Sequence, residues 1–214
     1  MHTILQKLAG LALALALPLA AYASPAAPAA PSAGLQRSDR DAVAELIYCY
    51  ARGTDQIGDA TTHADPLSAG LAIYRQCFAP DAQFRAWFPQ QPFDSQTFPN
   101  PDANPATAPA PFIGPAAWAN FVNGVFRGNG YTFTQHIMTN VDVQLHGNHA
   151  LLTSYLNATH VISGDTIGGP SRCVAVANGT YSMQAEKRAG RWVATRLDLT
   201  LITFNPIFQS GAGC

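Results

Sequence analysis

Four side chains in this sequence are suited to moving protons: His136, His160, Asp55 and Tyr50. Imidazole titrates closest to neutral pH, so two imidazoles over one apolar pocket are candidates for general acid–base work. His136 lies in the run Thr-Phe-Thr-Gln-His-Ile-Met-Thr-Asn that begins at Thr132, and His160 closes the run Ala-Leu-Leu-Thr-Ser-Tyr-Leu-Asn-Ala-Thr-His that begins at Ala150. Both runs have strand chemistry, and Gly147-Asn148 between them is a hairpin signal. Strand alternation puts His136, Met138 and Asn140 on one face of the first run, with Phe133, Gln135, Ile137 and Thr139 on the other. In the second run Leu152, Ser154, Leu156, Ala158 and His160 share a face. A regular hairpin in a concave sheet therefore holds both histidines over one cavity. The competing reading makes each histidine a satisfied or solvent-facing strand residue, Tyr50 plain core and Asp55 a turn acid.

The elements that must position these groups follow from periodicity. Ser38 is a good N-cap, Asp41 stands where a capping-box acid stands, and Val43, Leu46, Ile47, Tyr50 and Ala51 recur at helical spacing. Gly53 is expected to begin the end of this helix, leaving Asp55 at or just past its last turn. Tyr50 and Asp55 are then about one and a half turns apart, so the loosened end must reorient Asp55 if the two are to share a cavity. A second helix is expected over Pro66 to Phe78, followed by a strand over Gln83 to Phe88. A third helix is expected over Pro115 to Phe126, with the aromatic stripe Trp118, Phe121, Val122 and Phe126 as its core face. After the central hairpin, Ser171 to Arg188 and Arg191 to Phe204 read as two long strands around the Ala189-Gly190 turn, with a bulge or bend at Gly179. The order predicts an α+β domain in which helices cover one face of a curved antiparallel sheet.

Outside that domain the chain changes character. Met1 to Ala23 has a positive start at Lys7, an apolar run from Leu8 to Ala20 and the small-x-small pattern Ala21-Tyr22-Ala23, which is a secretory signal with cleavage expected before Ser24. The expected location is the periplasm or outside the cell, with no membrane association after cleavage. Residues 24–37 are rich in Pro, Ala and Ser and read as a disordered linker. One domain is expected over 38–208, with a long Pro- and Asn-rich loop at 89–111 and a tail at 209–214. The four cysteines are Cys49, Cys77, Cys173 and Cys214, and export permits disulfides. Cys49 pairs with Cys77 if the first two helices pack antiparallel, and Cys173 with Cys214 would then pin the tail, but three connectivities remain open. No spacing resembles a zinc site, and His146 and His149 flank a hairpin tip where a solvated turn is expected. Charged residues are only 12% of the chain and nearly balanced, which argues against nucleic acid and anionic membrane surfaces as partners.

The helix end with Tyr50 and Asp55, Cys77-Phe-Ala-Pro-Asp-Ala, Gly114-Pro-Ala-Ala-Trp, Gln135-His136, the Gly-Asn turn, and Gly179-x-Tyr181 followed by Gly190-Arg-Trp192 together resemble the SnoaL-like branch of the nuclear transport factor 2-like superfamily. The resemblance covers Ser38 to Phe204. It implies a cone of curved antiparallel sheet closed by about three helices, with an apolar pocket at its mouth. Within the superfamily the chain is similar to scytalone dehydratase and bile acid 7α-dehydratase. His136 and His160 match the two catalytic histidines of the first, Asp55 the catalytic aspartate of both, and Tyr50 the tyrosine of the second. Thr54 departs from this pattern, standing where scytalone dehydratase has a tyrosine.

These readings lead to a lyase (dehydratase) or isomerase that uses no cofactor and acts on a cyclic, largely apolar hydroxy-carbonyl compound. Asp55 would fix the tautomer of His136 and raise its basicity, while His160 or Tyr50 would donate to an enolate oxygen. The alternative is a module of the same fold that binds an apolar small molecule without turnover. Apolar residues in both alternation phases of the last strand, Leu197, Leu199 and Leu201 with Ile202 and Phe204, imply a covered outer face and thus a homo-oligomer, a dimer or trimer.

Overall fold

The computed structural model describes residues 38–88, 109–162 and 172–209. The signal and linker expected over 1–37, most of the 89–111 loop, the tail, and the Cys173–Cys214 pairing lie outside the described residues and side chains.

Helix α1 spans Asp39–Gly58, and Ser38 caps it by accepting from the Asp41 backbone N–H while Asp41 accepts from the Ser38 hydroxyl. Its first turn is tied to the sheet at Asp39, which accepts from Lys187 Nζ and Trp192 Nε1. Gly53 does not end this helix. The buried stripe continues through Thr54, Ile57 and Gly58, one more turn than the sequence reading expected. Helix α2, Pro66–Cys77, starts with the Asp65 carboxylate accepting from the Ser68 N–H and buries Gly70, Tyr74 and Cys77 against α1. Here the two glycines have their role. A Cβ on Gly70 would lie 2.5 Å from the Gly53 carbonyl oxygen and collide with Ile57, and one on Gly53 would lie 2.5 Å from the Tyr74 ring. The helices are thus in backbone contact, and the Cys49–Cys77 disulfide joins them across 6.3 Å between Cα atoms. A bridge closing a loop of this size contributes roughly 3.5 kcal/mol in the chain-entropy account.

Gly70→Ala is expected to destabilise the protein by roughly 2 kcal/mol. Alanine's better helix propensity recovers about 1 kcal/mol, but the added methyl meets backbone rather than a movable side-chain tip. Urea denaturation measures this, and a midpoint equal to or above that of the wild type refutes the tight crossing.

Strand β1 runs Phe78–Trp87, beginning five residues earlier than expected, with a register shift between Phe78 and Gln83 around Pro80. A short β2, Phe112–Ile113, leads to helix α3, Pro115–Gly128, and then come β3 (Tyr131–His146), β4 (His149–Ile162), β5 (Arg172–Arg188) and β6 (Arg191–Gln209). The six-stranded sheet has the order β2-β1-β6-β5-β4-β3. Its pairings are antiparallel except β1 with β6, which is parallel and makes the sheet mixed. The fold is an α+β cone in which the three helices close over one face of a curved sheet. The bend expected at Gly179 is present as a register shift between Asn178 and Gly179.

The β3–β4 hairpin turns at Gly147, with φ of 62°, but it is not regular. Asn140 has φ of 50°, and the register shifts between Thr139 and Asp142. The bulge flips the alternation, so Val143 is buried and Asn140, expected on the histidine face, is exposed. Between Thr134 and Met138 the pairing is regular, and that is where His136 sits.

Candidate active site

Two faces of α1 serve the site. Tyr50 and Thr54, one turn apart, point inward among the aromatic residues of the core. Asp55 is turned about 100° further round the intact helix. It faces β3 rather than the cavity, beside a surface recess lined by Arg52, Gln56, Asp59 and Thr134. The expected reorientation of a loosened helix end does not occur, so Asp55 and Tyr50 do not share a cavity wall. Asp55 instead reaches the cavity through His136.

That link is built from three hydrogen bonds. The Asp55 carboxylate accepts from the Thr134 hydroxyl at 3.1 Å, from the His136 backbone N–H at 3.0 Å, and from His136 Nδ1 at 2.6 Å. Since a carboxylate only accepts, Nδ1 carries the hydrogen and Nε2 of neutral His136 is the basic nitrogen. The His136 side chain is 6% exposed and that of Asp55 29%, so the imidazole is withdrawn from water while its carboxylate partner touches the surface. Gly58 permits this arrangement, because a Cβ there would collide with the Thr134 side chain. Arg127 holds the same end of α1 by donating to the carbonyls of Ile57 at 2.6 Å and Tyr131 at 2.8 Å.

His160 lies beside His136, with ring centroids 5.5 Å apart and planes nearly perpendicular at 84°. It packs against Tyr131 at 4.8 Å and Phe126 at 5.6 Å and is 4% exposed. Burial, reinforced by the repulsion of a second proton beside His136, lowers its pKa to about 4, against smaller opposing effects of the Ala175 carbonyl and Asp55. His160 is therefore neutral at pH 7. Its Nδ1 lies 3.3 Å from the Ala175 carbonyl oxygen, which can only accept. In that tautomer Nε2 is an acceptor, so the donor role that the sequence reading shared between His160 and Tyr50 falls to Tyr50.

Tyr50 stacks on Tyr74 at 5.6 Å and accepts a hydrogen bond from the Tyr181 hydroxyl at 3.4 Å. Thr54 donates to the Tyr50 carbonyl at 3.0 Å, and the Tyr74 hydroxyl then donates to Thr54 Oγ1 at 2.6 Å. Burial raises the pKa of Tyr50, which keeps its phenol protonated and able to donate. His136, His160, Tyr50 and Tyr181 all line one cavity, walled by Trp118, Phe121, Val122, Leu156 and Leu199. Its empty space, mouth included, is about 550 Å³.

The structure thus brings His136, His160 and Tyr50 to one cavity and sets Asp55 behind His136. Sequence reasoning missed Thr134, Tyr131 and Tyr181. Thr134 carried a signal, since alternation places it on the His136 face. Tyr131 carried none that separates it from a core aromatic, and Tyr181 entered only as part of the Gly179-x-Tyr181 motif. Among the described residues no cluster of His, Cys, Asp and Glu could hold a metal ion, and no described helix is long and apolar enough to cross a membrane.

Solved structures with this fold include a protein of Novosphingobium aromaticivorans provisionally named an aromatic ring hydroxylase, with a TM-score of 0.52, 20% identity, and coverage of 80% of this chain and 96% of that one. A hexachlorocyclohexane dehydrochlorinase, LinA-type3, from Novosphingobium barchaimii has a TM-score of 0.51 at 14% identity, covering 78% of this chain and 88% of its own. At such identities the likeness is one of fold. No curated protein matches the chain in sequence. The profile of the SnoaL-like domain matches residues 36–198, which include Tyr50, Asp55, His136 and His160, and the chain belongs to the SnoaL-like family.

Proposed function

We propose that this protein is a cofactor-independent lyase (dehydratase) or isomerase acting by acid–base catalysis on a cyclic, largely apolar hydroxy-carbonyl compound. The observation that carries this reading is the 2.6 Å contact between His136 Nδ1 and Asp55, made at the wall of an apolar cavity. In a β-hydroxyketone, His136 Nε2 takes the proton α to the carbonyl, and the electron pair moves onto the carbonyl oxygen. Tyr50 O–H stabilises that enolate oxygen. When the carbonyl re-forms, the C–O bond to the β-hydroxyl breaks, and the departing oxygen takes the proton back from the His136 imidazolium and leaves as water. Asp55 stabilises the imidazolium between these steps. In an isomerisation the same proton returns to a different carbon. The binding-only alternative is favoured by a pocket lacking the Asp55–His136 bond, and that bond is present. The test is dehydration of cyclic β-hydroxyketones followed by enone absorbance. Turnover that survives His136→Ala removes the proposal.

Export is part of the proposal. The expected signal over Met1 to Ala23 supports it, as does the Cys49–Cys77 disulfide, since such bonds persist mainly in oxidising compartments. We also infer a homo-oligomer, on a changed basis. On β6 the outward phase is Asp198, Thr200 and Ile202, with Asp198 held by Arg85 and Arg196, so that strand does not present the continuous apolar outer face its sequence suggested. A cluster of exposed apolar side chains lies on β3 and β4 instead, where Phe133, Ile137 and Tyr155 are 47%, 46% and 54% exposed on one face. A dimer or trimer covering that face would bury them. Intact mass of the exported chain is expected to start at Ser24, and light scattering at micromolar concentration is expected to give a multiple of the chain mass. A monomer would leave the patch without a partner.

A further inference from the structure

The cavity contains a polar hydrogen that neither the fold nor the proposed proton transfer uses. Trp118, on α3, is 1% exposed and lines the cavity, stacked on Phe84 at 5.4 Å and packed against Phe112 and Phe121. Its indole nitrogen lies near the hydroxyls of Tyr50 and Tyr74, yet it has no hydrogen-bonded partner of acceptable geometry. Leaving a buried N–H unsatisfied costs about 1–3 kcal/mol, and in native proteins such a group calls for an explanation. The neighbouring hydroxyl oxygens could accept, but none stands in hydrogen-bonding geometry to it, and their own hydrogens are placed as follows. Tyr74 donates to Thr54, Tyr181 donates to Tyr50, and Tyr50 is left with its own hydrogen to donate. Two donors, Trp118 Nε1–H and Tyr50 O–H, thus stand on the helical side of the cavity. On the sheet side His136 presents a base.

We propose that Trp118 Nε1–H and Tyr50 O–H together form the binding site for a carbonyl oxygen of the ligand, with Trp118 as the residue that selects a ketone over the matching hydrocarbon. This deepens the function proposed above and rests on it for the identity of the reacting group. The two donors converge where enolate charge develops, while the His136 base meets the carbon next to that carbonyl. An apolar ring fills the space between Phe121, Val122 and Leu156.

The experiment uses 1-indanone and indane, which differ only in the carbonyl, bound to the full mature protein and to Trp118→Phe. The wild type is expected to bind indanone five- to tenfold more tightly than indane, the worth of about one net hydrogen bond. Trp118→Phe is expected to reduce that preference to about two- to threefold, the share left to Tyr50 O–H, with affinity for indane changed by less than threefold. Equal affinity of the wild type for both compounds, equal losses for both in Trp118→Phe, or no binding of either at millimolar concentration overturns the proposal. If Trp118→Phe does not fold, the indole ¹⁵N–¹H signals of the wild type decide, with Trp118 assigned by elimination using Trp87→Phe and Trp192→Phe. Indanone then moves the Trp118 signal downfield and indane does not, and identical responses to the two overturn it. Binding is read without turnover. If the ketone preference is absent but turnover depends on His136, only the Trp118 inference falls. If the preference is present but turnover survives His136→Ala, only the catalytic reading falls.

Discussion

Asp55→Asn is expected to lower turnover by about two to three orders of magnitude while leaving the fold and ligand affinity nearly intact. Asparagine has the same shape, and its carbonyl oxygen can still accept from His136 Nδ1, so the imidazole keeps its place and tautomer. What it loses is the negative charge 2.6 Å from a ring that must become an imidazolium. General acid–base steps contribute about 10²–10⁴-fold, and loss of a charged partner behind the base removes much of that. The amide must also meet the Thr134 hydroxyl and the His136 backbone N–H, both donors now facing Oδ1 or Oδ2 of Asp55. One of them would face the asparagine NH₂, which costs about 1 kcal/mol of stability. His136→Ala removes the base outright and is expected to be at least as severe in turnover. The measurement is enone formation under saturating substrate for both variants, with a denaturation midpoint taken alongside. If Asp55→Asn keeps more than a third of wild-type kcat, the carboxylate is structural and the dyad is not the catalytic unit.

Much of the site was legible because strand alternation is insensitive to small errors. Placing His136 and His160 on one face, diagonally across the strand pair, needed only the Gly147-Asn148 turn and a regular pairing between residues 134 and 138, and both are present. The disulfide followed from antiparallel helices. The end of α1 was harder. Gly53 looks like a stop, but it is a contact point with Tyr74 and Gly70, a tertiary role that local propensity does not carry. Thr54 hid the continuing stripe because its hydroxyl is satisfied inside the core by Tyr50 and Tyr74. Ending the helix early made Asp55 seem free to swing toward Tyr50, whereas the intact turn directs it to β3. Asn140 failed for a related reason, since the bulge beside it changes phase and only its left-handed backbone marks the place. Trp118 was read as core, and it is core. That its indole N–H lacks a partner depends on where three distant hydroxyls point, which no window of sequence contains.

His160 has a second consequence, for stability. Its pKa in the folded protein is about 4, against about 6.5 for an exposed histidine. The folded state therefore binds this proton less readily than the unfolded state does. Above pH 6.5 both states hold the ring neutral and the fold keeps its full stability. As the pH falls below 6.5 the unfolded chain gains a proton that the fold resists, and stability declines until the folded form also protonates near pH 4. The loss from this group is about 2 kcal/mol between pH 7 and pH 5, approaching 3 kcal/mol near pH 4. Burial against Phe126 and Tyr131 is the main cause, and His136 on β3 adds to it, while Asp55 on α1 and the Ala175 carbonyl on β5 oppose it. His160→Phe keeps a ring of similar size and has nothing to protonate. Urea midpoints measured from pH 7 to pH 5 are expected to fall steeply for the wild type and to flatten for His160→Phe, even if the variant starts lower because the Ala175 carbonyl loses its donor. This window lies above the range in which most carboxylates titrate, so the difference in slope between the two proteins reports the histidine. Equal slopes would mean that water reaches the ring and that the cavity floor is wetter than its lining of aromatic side chains implies.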